Sequence, residues 1–302
     1  MSPSWPLKSS DTVEYFALSP SPRLLLAFFT RRGGVSRGDY ESLNAAFTVG
    51  DNARNVEENL ARARRALRLP AILTVKQTHS DAVLPIADER TQPETLEGDA
   101  CFTDRAGLGL GLKVADCLPV YIYAEDPSCI GIAHCGWRGT AARLAEKTAR
   151  QMSRHFSVPL PDLRFALGPC ICSDCYEVGD DVRQEFSKSF PLPDKLVSPA
   201  APERSPAKYN LDIRAANRWL LKELGLTEAH GLELCTRENE GLFYSARRDC
   251  PNGVTGARAA TGGSRVHRLE GRVAPKVRGL GQSPRATGRN LAVIALRSPT
   301  ST

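Results

Sequence analysis

Two adjoining stretches of sequence decide the fold: GLGLGLKVADCLPVYIY, over residues 107–123, and CIGIAHCGWRG, over residues 129–139. Each contains a short apolar run typical of a buried strand. The first run ends near Cys117 and the second at His134, so each brings a metal-type side chain to the point where a strand gives way to a loop. A shorter strand-like segment upstream ends in the same way, at His79.

His79, Cys117 and His134 are candidate metal ligands and catalytic residues. Imidazole and thiolate suit borderline-soft metals, and three protein ligands leave one tetrahedral position open, as a catalytic zinc requires. Any one of them alone is more often a buried polar group satisfied by hydrogen bonds. Their shared position at strand ends favours the metal interpretation, and Asp116 beside Cys117 is then expected to orient a ligand or to act in acid–base work.

The flanking sequence alternates between strand and helix patterns, which predicts an α/β (α+β) protein. Apolar residues at helical spacing predict helices over residues 55–67 and 213–224, and another that begins just after Gly139. Short strands are predicted over residues 24–29, 163–167, 232–235, 242–244 and 287–296. We expect a single domain, built as a layered α/β/β/α sandwich of mixed sheets.

The turn from His134 to Gly139 leads straight into a predicted helix. Free backbone N–H groups at such a start, together with the Arg138 side chain, would form an anion site beside the metal ligands. Phosphate is an anion that such a site would suit.

Several ordered blocks resemble the laccase-domain family, also called the polyphenol oxidase or multicopper-oxidase-like family. The blocks span most of the chain: Arg31–Ser36, Ser42–Asn44, Gln77–His79, Gly98–Thr103, Ala115–Pro119, His134–Gly139, Gly168–Pro169, Tyr176–Val178 and Phe243–Asp249. The resemblance implies zinc on His79, Cys117 and His134. From the matching blocks we also expect Arg31, Asn44, Gly136 and Gly139 to contact substrate.

Members of that family are described as purine nucleoside phosphorylases. The resemblance therefore implies that phosphate cleaves adenosine, inosine or methylthioadenosine to the free base and ribose 1-phosphate, and that adenosine is deaminated to inosine. Copper has been proposed for the family, but a multicopper oxidase needs many more histidines than the five of this chain. A copper-dependent polyphenol oxidase is therefore the less favoured alternative.

Two other functions stay open. Cys117 and His134 are also the residue types of a metal-free cysteine hydrolase or amidase, and editing of peptidoglycan precursors is a variant of that reaction. A non-enzymatic alternative is a basic binding module. The net charge of +6 permits it, but no basic face interleaved with aromatic residues accompanies that charge, so nucleic acid is not an expected partner.

Length and composition limit the class of protein and its division into domains. Its 302 residues, 41% hydrophobic and 25% charged, are typical of a globular protein without a membrane span. Nine cysteines, an odd number, and no signal-peptide pattern predict reduced thiols and a cytoplasmic location. We expect a loose leader over residues 1–20, a laccase-like zinc domain over 21–249, a basic disordered insertion over 250–286 and a final strand and tail over 287–302.

One further motif is Cys172-Ser-Asp-Cys175, which matches CxxC. Such a pair suits a structural zinc or a redox couple, but no second CxxC or His pair accompanies it in the sequence. The pattern alone therefore does not favour a metal there.

Overall fold

Strands dominate the computed structural model, which describes residues 5–10, 12–87, 96–200, 208–250 and 286–298. In these ranges the strands are β1 (Leu7–Ser10), β2 (Val13–Leu18), β3 (Leu24–Phe29), β4 (Ala71–Thr74), β5 (Val83–Pro85), β6 (Ala100–Thr103), β7 (Leu108–Val114), β8 (Leu118–Glu125), β9 (Ser128–Cys135), β10 (Arg164–Leu167), β11 (Glu177–Val178), β12 (Val197–Pro199), β13 (Tyr209–Leu211), β14 (Thr227–Glu228) and β15 (Asn290–Leu296). The helices are α1 (Ala53–Leu67), α2 (Trp137–Ala141), α3 (Leu144–Phe156), α4 (Asp180–Ser189), α5 (Ile213–Glu223) and α6 (Ala246–Asp249).

The strands form two large sheets and one small one. The first has the order β1-β2-β3-β15-β7-β4, the second the order β14-β10-β8-β9-β6-β5, and the small sheet the order β11-β13-β12. Both large sheets are mixed: β4 pairs with β7 in parallel, β5 with β6 in parallel, and β8 with β9 antiparallel.

The two large sheets pack face to face with helices on their outer sides. Alternate residues of β3, such as Leu26 and Phe28, meet Tyr121 and Ile132 of the second sheet between the layers. The outer face of the first sheet packs on α1, and the outer face of the second packs on α3 and α5. The predicted α/β/β/α sandwich is therefore confirmed, and it explains why strands such as β3 and β15 are buried on both faces.

Chain topology places the candidate ligands together at one end of this sandwich. Cys117 lies in the short link that carries the chain from β7, in the first sheet, to β8, in the second. His134 lies near the end of β9, opposite Pro119 on β8. His79 follows β4, whose parallel partner is β7. The ends of these strands meet at one edge, which positions the site.

The N-terminal region differs from its prediction. Instead of a loose leader over residues 1–20, β1 and β2 extend the first sheet, and β2 pairs with β3. The reason is an alternation in β2, where Val13 and Tyr15 pack towards α1. Trp5 donates from Nε1 to the carbonyl of His230 at 2.6 Å and packs on the Tyr121 ring.

The helix predictions are confirmed in type and shifted at their ends. α1 begins two residues earlier than predicted, because the side chain of Asn52 accepts a hydrogen bond from the Arg54 amide and caps the helix. The helix expected after Gly139 forms two pieces, α2 and α3, separated by Arg143 in a left-handed conformation (φ 61°).

Two strand predictions are wrong. Residues 232–235 form no strand and make only a single bridge, between Cys235 and Cys170, and residues 242–244 lie in a turn and loop. In this region the Thr236 hydroxyl instead donates to the carboxylate of Asp116, which precedes Cys117. The last predicted strand is confirmed as β15, which lies between β3 and β7 in the centre of the first sheet. The expected insertion over residues 250–286 lies outside the described residues apart from its ends. Among the described helices, none combines the length and the apolar content needed to cross a bilayer.

Candidate metal centre

His79, Cys117 and His134 converge at the strand ends. One donor atom from each, an imidazole nitrogen or the thiol sulfur, lies within 4.8 Å of the others. The two imidazole rings are edge to face, with centroids 5.0 Å apart. The His134 side chain is 4% exposed, whereas His79 is the more open of the two. The predicted ligand set is thus brought together, with His79 on the solvent side.

A buried carboxylate, Asp99, supports two of the three ligands. Its Oδ1 lies 2.8 Å from Nδ1 of His134 and accepts a hydrogen bond from the backbone amide of His79 at 3.1 Å. Its Oδ2 accepts from the amides of Thr78 and Ser80 and from the Ser80 hydroxyl. With Nδ1–H of His134 donating to Asp99, the lone pair of Nε2 is free for a metal, the arrangement common in zinc sites.

The charges of these groups reinforce one another. Burial raises the pKa of Asp99, but its hydrogen bond to His134, the charge of His134 and the bonds from Ser80 outweigh it and bring it to about 2. Burial likewise raises the pKa of Cys117, while the charge of His134 and hydrogen bonds from both histidines lower it to about 6. Burial lowers the pKa of His134, but Cys117 and Asp99 raise it to about 9. These directions favour a thiolate on Cys117 beside an imidazolium on His134, and a bound cation would replace the proton that the two groups share.

The backbone around the ligands is held in uncommon conformations. His79 and Asp116 both have positive φ angles, of 60° and 86°, which non-glycine residues rarely adopt. Asp116 is held by its own carboxylate, which accepts from the Thr236 hydroxyl at 2.6 Å and from the amide of Arg247 at 2.7 Å. Strain of this kind clusters at functional sites, where surrounding contacts maintain it.

Gly136 lies directly against the trio. A Cβ at this position would lie 2.9 Å from Sγ of Cys117 and 3.6 Å from Cδ2 of His79. Gly139 lies close to the backbone of His134, because a Cβ at position 139 would lie 3.2 Å from the His134 carbonyl oxygen. Gly136, which caps α2, and Gly139, within α2, let this short helix pass close to Cys117 and to the backbone of His134.

The chain resembles known proteins over most of its length. Residues 25–262 match the model of a family described as multi-copper polyphenol oxidoreductase laccase. The chain belongs to this family. A relative named adenosine deaminase RL5, from an unknown prokaryotic organism, is 37% identical over 78% of this chain and 92% of its own length. Purine nucleoside phosphorylase YlmD of Geobacillus stearothermophilus is 34% identical over 78% of this chain and 88% of that protein.

Solved structures of the same laccase family share the fold. The crystal structure of YlmD from Geobacillus stearothermophilus superposes with a TM-score of 0.76 at 27% identity, and covers 98% of this chain and 100% of that one. A Bacillus licheniformis protein titled hypothetical protein YfiH gives a TM-score of 0.78 at 26% identity, over 97% of this chain and 99% of that one.

Despite the word copper in the family's description, few histidines gather here. Of the four histidines in the described ranges, His79 and His134 belong to the trio. His155 packs against the rings of Phe102 and Phe156, and the carbonyl of His230 accepts from Trp5. The described part of this laccase-family chain therefore offers a single trio of mixed His and Cys ligands at this edge.

The predicted substrate residues make different contacts in the structure. Arg31 donates to the carbonyls of Glu41 and Glu240 and stacks on the Tyr244 ring, and it lines a separate surface cavity of about 470 Å³. Both polar atoms of the Asn44 amide bond to neighbouring protein groups. The exposed Arg138 guanidinium lies over the Trp137 ring, 4.2 Å from its centroid. Substrate roles for these residues stay predictions.

Sequence reasoning assigned no role to three residues that surround the trio. Asp99 lies inside a family-like block, and a carboxylate placed just before a buried strand was the available signal. Burial and the charge of Cys117 raise the pKa of Tyr176, whereas the charge of Arg138 lowers it. Burial lowers the pKa of Arg289, whereas the negative charge of Cys117 acts to raise it. Tyr176 and Arg289 lie far from Cys117 in the sequence, and Arg289 is more than a hundred positions away, so no local pattern links them to it.

Proposed function

We propose that this protein is a zinc-dependent purine nucleoside phosphorylase that also deaminates adenosine. The observation that carries the proposal is the trio of His79, Cys117 and His134, which offers three ligands and leaves a tetrahedral position for a reactant. The donor set fits zinc, because two imidazoles and one thiolate are ligands that zinc prefers. The named activities of the two relatives supply the reaction type.

The residues of the chain have separable roles in this proposal. A zinc ion held by the trio supplies a Lewis acid that polarises an oxygen of the bound reactant. Asp99 fixes the tautomer of His134, and Cys117 contributes thiolate charge. Tyr176 carries its proton at neutral pH, and burial together with the charge of Cys117 raises its pKa further.

In the phosphorolysis, the bond between the ribose carbon and the purine nitrogen breaks, and a bond from that carbon to a phosphate oxygen forms. The products are the free base and ribose 1-phosphate. In the deamination, water displaces the amino group of adenosine and gives inosine and ammonia. We propose that phosphate contacts Arg138 and the backbone of residues 136–140, where Gly136 lies directly against the trio and Arg138 is exposed.

The test is a product analysis. Adenosine and inosine are incubated with the full chain, with and without inorganic phosphate, and free base, ribose 1-phosphate, inosine and ammonia are quantified. We expect base release to require phosphate and to be lost in Cys117→Ala. Cys129→Ala is the matched control, because this buried cysteine lies at the far end of β9 from His134. Equal turnover in Cys117→Ala and the control would refute the proposal.

A metal-free cysteine hydrolase is the second candidate, and one observation favours it. His134 lowers the pKa of Cys117 to about 6, as expected of a nucleophilic thiol beside an imidazolium. The two candidates differ in the effect of zinc on alkylation of Cys117 by iodoacetamide. Zinc that slows alkylation and raises purine turnover supports the phosphorylase. The hydrolase is supported if chelator-treated protein hydrolyses amides and added zinc inhibits that hydrolysis.

A further inference from the structure

A second cluster of metal-type side chains lies outside the trio. It consists of Cys172, Cys175, Cys235 and Glu238, and one donor atom from each lies within 4.8 Å of the others. We propose that this Cys₃Glu cluster is a structural zinc site, in which three thiolates and one carboxylate complete a tetrahedral shell. Nothing in the purine chemistry proposed above requires this second site.

The ligands come in two pairs with the same spacing. Cys172 and Cys175 are separated by two residues on the 3₁₀ turn Ser173–Cys175, where the Cys175 amide donates to the carbonyl of Cys172 at 3.1 Å. Cys235 and Glu238 are also separated by two residues, on a turn closed by a hydrogen bond from the Asn239 amide to the carbonyl of Cys235. Structural zinc sites commonly use two such turns, and here CxxE takes the place of the second CxxC.

The backbone joins the two turns rigidly. Cys170 and Cys235 form a bridge, in which the Cys170 amide donates to the carbonyl of Leu234 and the Thr236 amide donates to the carbonyl of Cys170. The two turns are therefore held side by side by main-chain hydrogen bonds before any metal binds. A preformed site of this kind loses little conformational entropy on binding.

Hydrogen-bond donors point at the sulfur atoms. The amide of Cys172 donates to Sγ of Cys235 at 3.4 Å, and the Arg237 guanidinium donates to Sγ of Cys175 at 3.5 Å. Donors of this kind stabilise thiolates and fix the orientation of metal ligands. Three thiolates, one carboxylate and a divalent zinc carry a net charge of −2, and Arg237 offsets one of these charges.

Burial and ligand type favour a soft or borderline cation. Cys235 is 5% exposed and Cys175 9% exposed, whereas Glu238 lies at the surface. Three sulfur ligands disfavour magnesium and calcium, which take oxygen, and favour zinc. Cys172, Cys175 and Cys235 form no disulfide, so their sulfurs are available for a metal.

The cluster adjoins the loop that carries Cys117. Ile171, next to Cys172, donates its amide to the carbonyl of Asp116, and Thr236, next to Cys235, donates its hydroxyl to the Asp116 carboxylate. A zinc ion on the second cluster would clamp both segments that hold Asp116, immediately before Cys117. The second site therefore also braces the first.

The decisive experiment isolates the second site. The full chain is purified under reducing conditions, its zinc content is measured by mass spectrometry, and the zinc environment is measured by X-ray absorption. We expect two zinc ions per chain in the wild type and one in Cys117→Ala. The zinc that remains in Cys117→Ala should have three sulfur neighbours at about 2.3 Å. A Cys117→Ala protein without zinc, or with a sulfur-poor zinc, would overturn the proposal.

Two variants keep the test valid if one protein folds poorly. Cys172→Ser should hold one zinc ion, with a nitrogen-rich environment, and Cys129→Ala should hold two. Glu238→Gln changes an exposed side chain, so this variant should fold. A chelator should remove its two zinc ions in two phases, and the phase that belongs to the second site should be at least tenfold faster than in the wild type. Two unchanged release phases in Glu238→Gln, a single nitrogen-rich zinc ion in the wild type, or a native disulfide within the cluster would each contradict the second site. A single zinc ion with three sulfur neighbours would instead contradict metal binding by the trio.

Discussion

Replacing Asp99 with Asn is the most informative single change, because it keeps the size of the side chain, removes its charge and exchanges one acceptor oxygen for an NH₂ donor. Asp99 accepts five hydrogen bonds, from three backbone amides, the Ser80 hydroxyl and Nδ1 of His134. An asparagine retains a single acceptor oxygen. The asparagine keeps the most hydrogen bonds when its oxygen takes the place of Oδ2, which accepts from the Thr78 amide and from the amide and hydroxyl of Ser80.

In that orientation the new NH₂ group faces the amide of His79 and Nδ1 of His134. Two charge-assisted bonds are lost, which at about 1.5–3 kcal/mol each predicts a loss of roughly 3–6 kcal/mol in the free energy of unfolding if nothing relaxes. His134 can then accept from the amide only by moving its proton to Nε2, the nitrogen expected to bind metal. Loss of such a supporting partner typically costs about 10–100-fold in metal affinity.

Two assays separate these effects. Urea unfolding of metal-free protein gives the change in stability, and competition with a chelator of known affinity gives the change in zinc affinity. Asp104→Asn is the matched control, since Asp104 is an exposed aspartate five residues away. An Asp99→Asn protein that binds zinc as tightly as this control, despite a measured loss of stability, would refute the role assigned to Asp99.

Three other changes test the structure. Gly136→Ala places a Cβ 2.9 Å from Sγ of Cys117 and should lower zinc affinity at least tenfold, as measured by chelator competition; unchanged affinity would contradict the close approach. The pKa of Asp99 is about 2 in the fold, against an ordinary value of 3.8, so ionised Asp99 stabilises the metal-free fold above pH about 4. This stabilisation is lost as the pH falls towards about 2. Urea unfolding should therefore show a loss of roughly 2 kcal/mol over this range, and Asp99→Asn should lack that loss. Asp212→Ala removes the cap on the Ala215 amide and should cost about 1 kcal/mol in urea, with zinc binding unchanged; a shift in zinc binding would argue against a purely local effect.

The sequence predicted the parts of the fold that have a local signal. Helix α5 begins and ends near its predicted limits, because Asp212 caps it and its apolar residues keep helical spacing. The α/β/β/α layers follow from strands that are apolar on both faces, such as β8 and β15. Strand β1 was missed because it is exposed and depends on pairing with β2 rather than on its own apolar pattern. Strand β2 was missed although its buried residues alternate and carry a local signal.

The candidate site divides in the same way. The grouping of His79, Cys117 and His134 could be predicted because each ends a short apolar run and lies in a family-like block. Asp99 could not be assigned a role, since its bond to His134 spans 35 residues of chain. The Cys₃Glu cluster shows the limit most clearly: CxxC was visible at Cys172, but its partners lie about sixty residues further along, and only the folded chain joins them.

The account rests on a metal bound to the His79–Cys117–His134 trio with one position open to a reactant. Diffraction from crystals of the zinc-loaded full chain, recorded on both sides of the zinc absorption edge, tests this most directly. We predict an anomalous peak about 2.0–2.1 Å from a nitrogen of each histidine and about 2.3 Å from the Cys117 sulfur, with no fourth protein ligand. Zinc-loaded crystals without a peak at the trio, or with a fourth side chain closing the shell, would contradict the account.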